Sequence, residues 1–318
     1  MNTIDHIKGA LFGVAIGDAL GVPVEFKGRA SLMENPVKDF EAYKSHNQPS
    51  GTFSDDSSLT FCLAESLCQG YNLKDIGNRF VKWLHEGYWT AGGEVFDVGN
   101  TTRYAIARLK NGVQPELAGD FDEGSNGNGS LMRILPLLFY IKNMDIEKRY
   151  LYIREVSSLT HAHIRSVMAC FYYLEFALNL LHGNTKEDVY TTTGKTVLHL
   201  MQNKLVAQKE IDLFAPILTG DISKLPIEIV PSSGYVMSTL KATLWCFLNT
   251  ADYKTAVLTA VNLGNDTDTT AAVTGGLAGL YYGYETIPDK WRNEIKRKED
   301  IHDLCIRFSK AIVGSVND

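Results

Sequence analysis

Four glycines, Gly9, Gly13, Gly17 and Gly21, recur at four-residue spacing near the start of the chain. On an α-helix that spacing stacks residues along one face, so these positions form a strip without side chains on which a second helix can lie backbone to backbone. Each glycine costs a soluble helix about 1 kcal/mol relative to alanine, and tight packing at the centre of a bundle is what offsets the cost. The rest of the pattern agrees. Apolar residues recur every three or four positions in 59–68, 76–84, 104–109, 164–181, 235–247, 256–263, 271–282 and 301–313, while alternating runs are nearly absent. The expected fold is therefore all-α. No linker, charge block or composition shift divides residues 1–318, which are expected to form one domain.

A balance of 31 Lys+Arg against 37 Asp+Glu gives a net charge of -6, which excludes the broad basic surface that nucleic acid or an anionic membrane selects. Five scattered cysteines without a C-x-x-C pair read as buried thiols in a reducing cytoplasm. The apolar stretch from Gly9 stops at Asp18, too soon to cross a bilayer. An acid in its flank and no small-residue cleavage site argue against a secretory signal.

Three long segments of irregular composition, 22–53, 112–129 and 218–233, lead into helices with polar first turns. Loops of that length inside a domain are usually functional, so the site is expected where those helix N-termini meet. Two matching motifs stand at such ends: Ser54, Asp55, Asp56 and Ser57 after Gly51, and Asp266, Thr267, Asp268 and Thr269 after Gly264. Taken singly, each looks like a helix cap with first-turn acids. Converged, they put four carboxylates in one small volume, where unit charges at about 4 Å repel by roughly 4 kcal/mol per pair. Cations relieve that repulsion. An all-oxygen ligand set points to hard Mg²⁺ or Mn²⁺, and the four acids with the Ser54 and Thr269 hydroxyls suit two ions. The glycine-rich run 124–129 has the freedom to wrap a pyrophosphate with N–H groups, with a following helix adding dipole attraction. His161 and His163 lack a third nitrogen or thiol ligand, which argues against a histidine metal site.

With Asp18 and Glu25 in 17–26, Ser54 to Ser57, Asp97, Asn100 and Arg103 in 97–103, the run 124–133, Thr160 with His161, 233–236 and 265–269, the chain resembles the ADP-ribosylglycohydrolases. It is most similar to their bacterial dinitrogenase reductase-activating branch. Ser54 stands where the family commonly has threonine; the hydroxyl is kept. The resemblance implies an all-α fold with a binuclear metal centre that splits ADP-ribose from a modified side chain. It implies Ser54, Asp55, Asp56, Asp266, Asp268 and Thr269 as metal ligands, with Glu25 as a mobile acid over the site. Asp97 is expected to orient the ribose or assist proton transfer, beside Asn100. Ser125, Asn126, Gly127, Asn128 and Gly129 are expected around the pyrophosphate, and His161 on ribose or phosphate. Gly234 and Tyr235 follow, the tyrosine stacking on adenine or covering the ribose. Asp55 or Asp56 would direct the attacking water.

The implied reaction is hydrolysis of the N-glycosidic bond between ADP-ribose and a protein arginine, with ADP-ribose as product. The same site would serve serine-linked, free or polymeric ADP-ribose. A non-catalytic ADP-ribose-binding relative is the reading from another class, and the presence of all four aspartates argues against it. The target is an endogenous protein or the victim of a toxin, in which case the chain is an immunity factor.

Overall fold

The structure, a computed structural model, describes residues 2–314. The chain runs through α1 (Thr3–Gly21), α2 (Arg29–Glu34), α3 (Asp55–Leu67), α4 (Leu73–Glu86), α5 (Asn100–Lys110), α6 (Leu137–Ile141) and α7 (Ile146–Ser158). It continues through α8 (Ile164–Leu181), α9 (Lys186–Asn203), α10 (Gln208–Leu218), α11 (Val236–Leu248), α12 (Tyr253–Asn262), α13 (Thr267–Tyr282), α14 (Asp289–Glu294) and α15 (Lys298–Gly314). Among the described residues there is no β-strand. Two isolated bridges, Asp120 with His161 and Gly127 with Tyr235, pin loops together at the site. The all-α expectation holds. Helices α7, α9 and α10 lie outside the apolar repeats read from the sequence; α9 carries a threonine run and Gly194, and α10 contains Pro216.

The glycine strip of α1 lies against α13. A Cβ built on Gly13 would fall 2.2 Å from the Gly275 carbonyl oxygen, and one on Gly279 would fall 1.9 Å from that of Gly9. Gly17 meets Ala271 in the same way, and at Gly21 the obstacle is the backbone of Asp268 at 2.3 Å. Carbonyl oxygens of the strip also accept hydrogen bonds: Tyr253 Oη donates to Gly13 O at 2.9 Å and Thr267 Oγ1 to Gly21 O at 2.8 Å. The strip thus sets the depth at which the acid-bearing end of α13 sits. Residues Thr3–Val24 and Ile164–Leu181 are long and apolar enough to cross a membrane by length and composition, yet 94% and 78% of the most apolar 18 residues of each is buried inside the fold. The sequence reading ended the first apolar stretch at Asp18. In fact the helix runs on through a fully buried Asp18 to Gly21.

The loop that carries Asp97 is anchored at its start by Glu65 of α3. Glu65 Oε2 accepts from Arg79 Nη1 at 2.8 Å, from Trp89 Nε1 at 2.8 Å and from the Tyr88 hydroxyl, and Arg307 of α15 lies 3.2 Å from Oε1. Burial pushes the carboxyl up, but the Tyr88 and Trp89 hydrogen bonds and the Arg79 and Arg307 charges outweigh it and hold it below its usual range. A depressed folded-state value means stability that is fully present above the unfolded carboxylate range, near 4.3, and lost as pH falls through the folded value. Glu65→Gln is expected to destabilise by about 2 kcal/mol at neutral pH. Urea titrations should show the gap to the unsubstituted protein closing below about pH 4; a gap independent of pH would remove Glu65 as the anchor.

Candidate active site

The free N–H groups at the start of α3 are taken by a residue from another helix. The Asp18 carboxylate, at the end of α1, accepts from Ser54 N at 2.8 Å and from Ser57 N at 3.0 Å and Ser57 Oγ at 2.5 Å. Ser54 Oγ caps Asp56 N from 3.4 Å. With the capping done by Asp18 and Ser54, the first-turn acid Asp56 reaches the start of α13. There Ser54 Oγ donates to Asp56 Oδ2 at 3.1 Å and Thr269 Oγ1 does so at 3.4 Å, so one carboxylate oxygen joins the two helix ends. Asp266 Oδ2 accepts from Asn128 Nδ2 at 2.6 Å, and Asp268 Oδ1 accepts from Thr269 N at 2.9 Å.

Carboxylate oxygens of Asp18, Asp56 and Asp268 lie within 4.8 Å of one another, and a second group of Glu25, His46, Asp97 and Asp268 meets the same limit. Asp268 belongs to both. Burial first, and then the neighbouring carboxylates, push Asp55, Asp56 and Asp268 well above the usual range. Burial raises Asp18 to about 6 against the hydrogen bonds from Ser57 and Ser54. It raises Glu25 to about 7, with Asp97 and Asp266 adding to it and the hydrogen bond from His46 opposing. Asp56 Oδ1 and Asp268 Oδ2 are buried with no hydrogen-bond partner. An unpartnered carboxylate oxygen in the interior is strongly unfavourable unless a cation completes it. The residues fit hard divalent ions: the donors of the first group are all oxygen, and two of its oxygens have no other use.

A cavity of about 600 Å³ opens over this cluster. It is lined by an acidic set, Glu25, Asp55, Asp97 and Asp266 with Phe26, Asn100 and Thr269, and by a glycine-rich set, Gly124, Gly127, Asn128, Gly129, His161, Ser233 and Gly234, which meet where Asn128 holds Asp266. No lysine or arginine is among the lining residues. The glycine-rich end is shaped by the bridges: Asn128 N donates to Gly234 O at 3.0 Å and Val236 N to Asn126 O at 3.0 Å, while Ala162 N donates to Asp120 O at 2.8 Å. Side chains are excluded there, since a Cβ on Gly129 would fall 2.8 Å from His161 Cε1 and 2.9 Å from Thr102 Oγ1. Burial, with Arg133 nearby, lowers His161 to about 3, so it is a neutral ring, with Nδ1 2.7 Å from Thr160 Oγ1. Arg133 itself is wholly buried; it donates to Gly129 O and lies 4.9 Å over the Phe80 ring, which supports the turn from beneath.

The two acidic motifs therefore meet, and Glu25, Asp97, Asn100, Gly127, Asn128, Gly129, His161 and Gly234 surround the same cavity. Ser54, Asp56 and Asp268 lie behind its wall, buried. Three expectations need correction. Ser125 and Asn126 do not line the cavity: Ser125 Oγ donates to Asp122, and Asn126 accepts from Ser166 Oγ at 3.0 Å. Tyr235 is not a lining residue either; its ring packs under Arg165 at 5.8 Å. The glycine-rich run leads into turns, and the next helix starts only at Leu137, so no helix dipole follows it directly. Asp18 and His46 were missed as site residues. Asp18 is the only charge between Gly9 and Gly21, a signal that could have found it; His46 left no signal in its loop.

A sequence profile described as ADP-ribosylglycohydrolase matches residues 1–316. The chain is 33% identical over 308 residues to ADP-ribosylarginine hydrolase Tri1 of Serratia proteamaculans (strain 568), covering 95% of this chain and 78% of the relative. It is 28% identical to ADP-ribosyl-[dinitrogen reductase] glycohydrolase of Rhodospirillum rubrum, covering 92% of this chain and 91% of the relative. Identity to ADP-ribosylhydrolase ARH3 of Danio rerio is 27%, over 96% of this chain and 90% of the relative. A solved structure described as an ADP-ribosylglycohydrolase-related protein complex superposes with a TM-score of 0.81 at 30% identity, covering 98% of this chain and 99% of that one. The site geometry and these matches agree, and the chain belongs to the ADP-ribosylglycohydrolase family.

Proposed function

We propose that the chain hydrolyses the N-glycosidic bond joining ADP-ribose to arginine on a modified protein. The observation that carries the reading is the cavity itself: a diphosphate ligand would enter a space with no lysine or arginine in its lining, between a glycine-rich wall and buried carboxylates that include two unpartnered oxygens. Two of the relatives most similar to it are named as ADP-ribosylarginine hydrolases.

Ser54, Asp55, Asp56, Asp266, Asp268 and Thr269 would hold two Mg²⁺ or Mn²⁺ ions, with Glu25 above them. Such ions, when bound, supply Lewis acidity and a more acidic water. The chain's own residues do the rest. Backbone N–H groups of Gly127 and Gly129 receive the diphosphate, that of Asn128 being bound to Gly234 O, and neutral His161 hydrogen-bonds the phosphate or ribose. Asn128 fixes Asp266 in place. The C1–N bond breaks with its electron pair going to the guanidinium nitrogen, which leaves as neutral guanidine while positive charge develops on C1 and the ring oxygen. Asp97 faces that ribose. Asp55, unlike Asp56, lines the cavity, so it is the acid placed to take the proton as the water oxygen bonds to C1. The guanidine then takes up a proton, and the overall exchange balances.

Protein stripped of metal should release no ADP-ribose from ADP-ribosyl-arginine, and release should return on adding Mg²⁺ or Mn²⁺. Faster release from a serine linkage would replace the arginine reading. Absence of release from every linkage, with metal bound, would make the chain a binding protein.

A further inference from the structure

Phe26 follows Glu25 at the lip of the cavity, and its side chain is not part of the core. It is 71% exposed, and it is the only phenylalanine, tyrosine or tryptophan among the lining residues. Its backbone is held in the left-handed region at φ 66°, which glycine adopts freely and a bulky aromatic rarely does. Two backbone hydrogen bonds fix it there: Phe26 N donates to Asn265 O at 2.7 Å and Asn265 N donates to Lys27 O at 2.7 Å. Asn265 shares the same conformation at φ 63°. On one side the ring lies 5.7 Å from the His46 ring, whose Nε2 is paired with Glu25. An exposed apolar ring kept in an unfavourable backbone position, beside the acids, points to something outside the protein that it touches.

The cavity shows what that is. On the reading given above, ADP-ribose with its diphosphate against the glycine-rich wall would bring the ribose C1 among the acids, and Phe26, exposed and next to Glu25 in the same lining, would stand beside the group leaving C1. We propose that Phe26 is the platform on which the ADP-ribosylated guanidinium stacks, and so the residue that favours an arginine linkage over a neutral one. The assignment rests on the arginine reading given above. A planar guanidinium is the side chain best matched to an aromatic face, and carboxylates on the opposite side reinforce its charge. Bond cleavage removes that charge as neutral guanidine departs. The ring therefore holds the ground state more than the transition state, so its loss raises KM and does not lower kcat.

Phe26→Ala, Phe26→Leu and Phe26→Trp test this, with thermal denaturation as a check that each folds. On ADP-ribosyl-arginine the Ala and Leu variants should raise KM roughly 3- to 30-fold with no loss of kcat, and Trp should keep the original KM. Inhibition by free ADP-ribose, which has no guanidinium, should be the same in all four proteins. A Leu variant with normal KM, or ADP-ribose inhibition weakened in step with KM, would overturn the assignment. Unchanged kinetics in every variant would also overturn it, and would leave the arginine reading standing. No cleavage of ADP-ribosyl-arginine by the unsubstituted protein would overturn that reading and the assignment together.

Discussion

Asp268→Asn is expected to lower kcat for ADP-ribose release on the order of a thousandfold without lowering the stability of the metal-stripped protein. The two halves of this result have one cause. Asp268 is fully buried, contributes to both acidic groups and keeps Oδ2 without a partner. In the metal-free chain that arrangement is a liability, since close carboxylates repel by roughly 4 kcal/mol per pair at an effective dielectric of 20. Asparagine has nearly the same shape and removes the charge. A ligand that binds only the folded state stabilises it by mass action, so Mg²⁺ or Mn²⁺ should raise the melting temperature of the unsubstituted protein and barely move that of the variant. Melting curves with and without metal, run beside the hydrolysis assay, read both halves. If the variant instead melts far below the metal-stripped parent, Asp268 is a structural residue and its part in a metal centre fails.

Gly279→Ala is the second large effect, and here two physical arguments predict opposite signs. Helix propensity alone says that alanine stabilises by about 1 kcal/mol. Packing says otherwise: the new Cβ would fall 1.9 Å from the Gly9 carbonyl oxygen and 2.7 Å from its carbon, both backbone atoms of the facing helix. A side-chain tip could swing away; a helix backbone gives only if α1 and α13 part along their length. Packing wins, and urea denaturation should show a loss of about 4 kcal/mol or more, among the largest for a single substitution. Gly28→Ala, with nothing within 4 Å, is the control and should be close to neutral. Gly21→Ala adds a functional reading, because its Cβ would meet the Asp268 backbone at 2.3 Å and should impair hydrolysis as well. A neutral or stabilised Gly279→Ala would mean that α1 and α13 do not touch.

Much of this was legible because the sequence carried it as spacing. Glycines four apart implied a helix-to-helix seam, and the pair of Asp-hydroxyl motifs implied two helix ends that meet. What spacing does not encode is which partner satisfies a group. Asp18 looks like a polar interruption of an apolar helix, and only the packed structure shows it capping α3 so that Asp55 and Asp56 are free of that duty. Glu25 and His46 sit 21 residues apart in one irregular segment, a relation no periodicity records. In the glycine-rich run the composition drew attention to every residue. The bridge to 234–236 turns Gly127, Asn128 and Gly129 to the cavity and leaves Ser125 and Asn126 bonding to their own neighbourhood. Helices α9 and α10 escaped notice for a different reason: a threonine run with Gly194 in one and an internal proline in the other interrupt the stripe that their buried residues still follow.

The glycine seam also sets an order in time. Thr267 and Gly21, hydrogen-bonded across it, are 246 residues apart in the chain. During synthesis α1 emerges first and must wait, its bare strip uncovered, until α13 has been made. Contacts of such long range form late and slowly. Asp18, Asp55 and Asp56 are all translated early, but Asp266 and Asp268 arrive with the same helix that closes the strip. A growing chain therefore cannot gather its carboxylates, or capture a cation with them, before its central helix pair has docked.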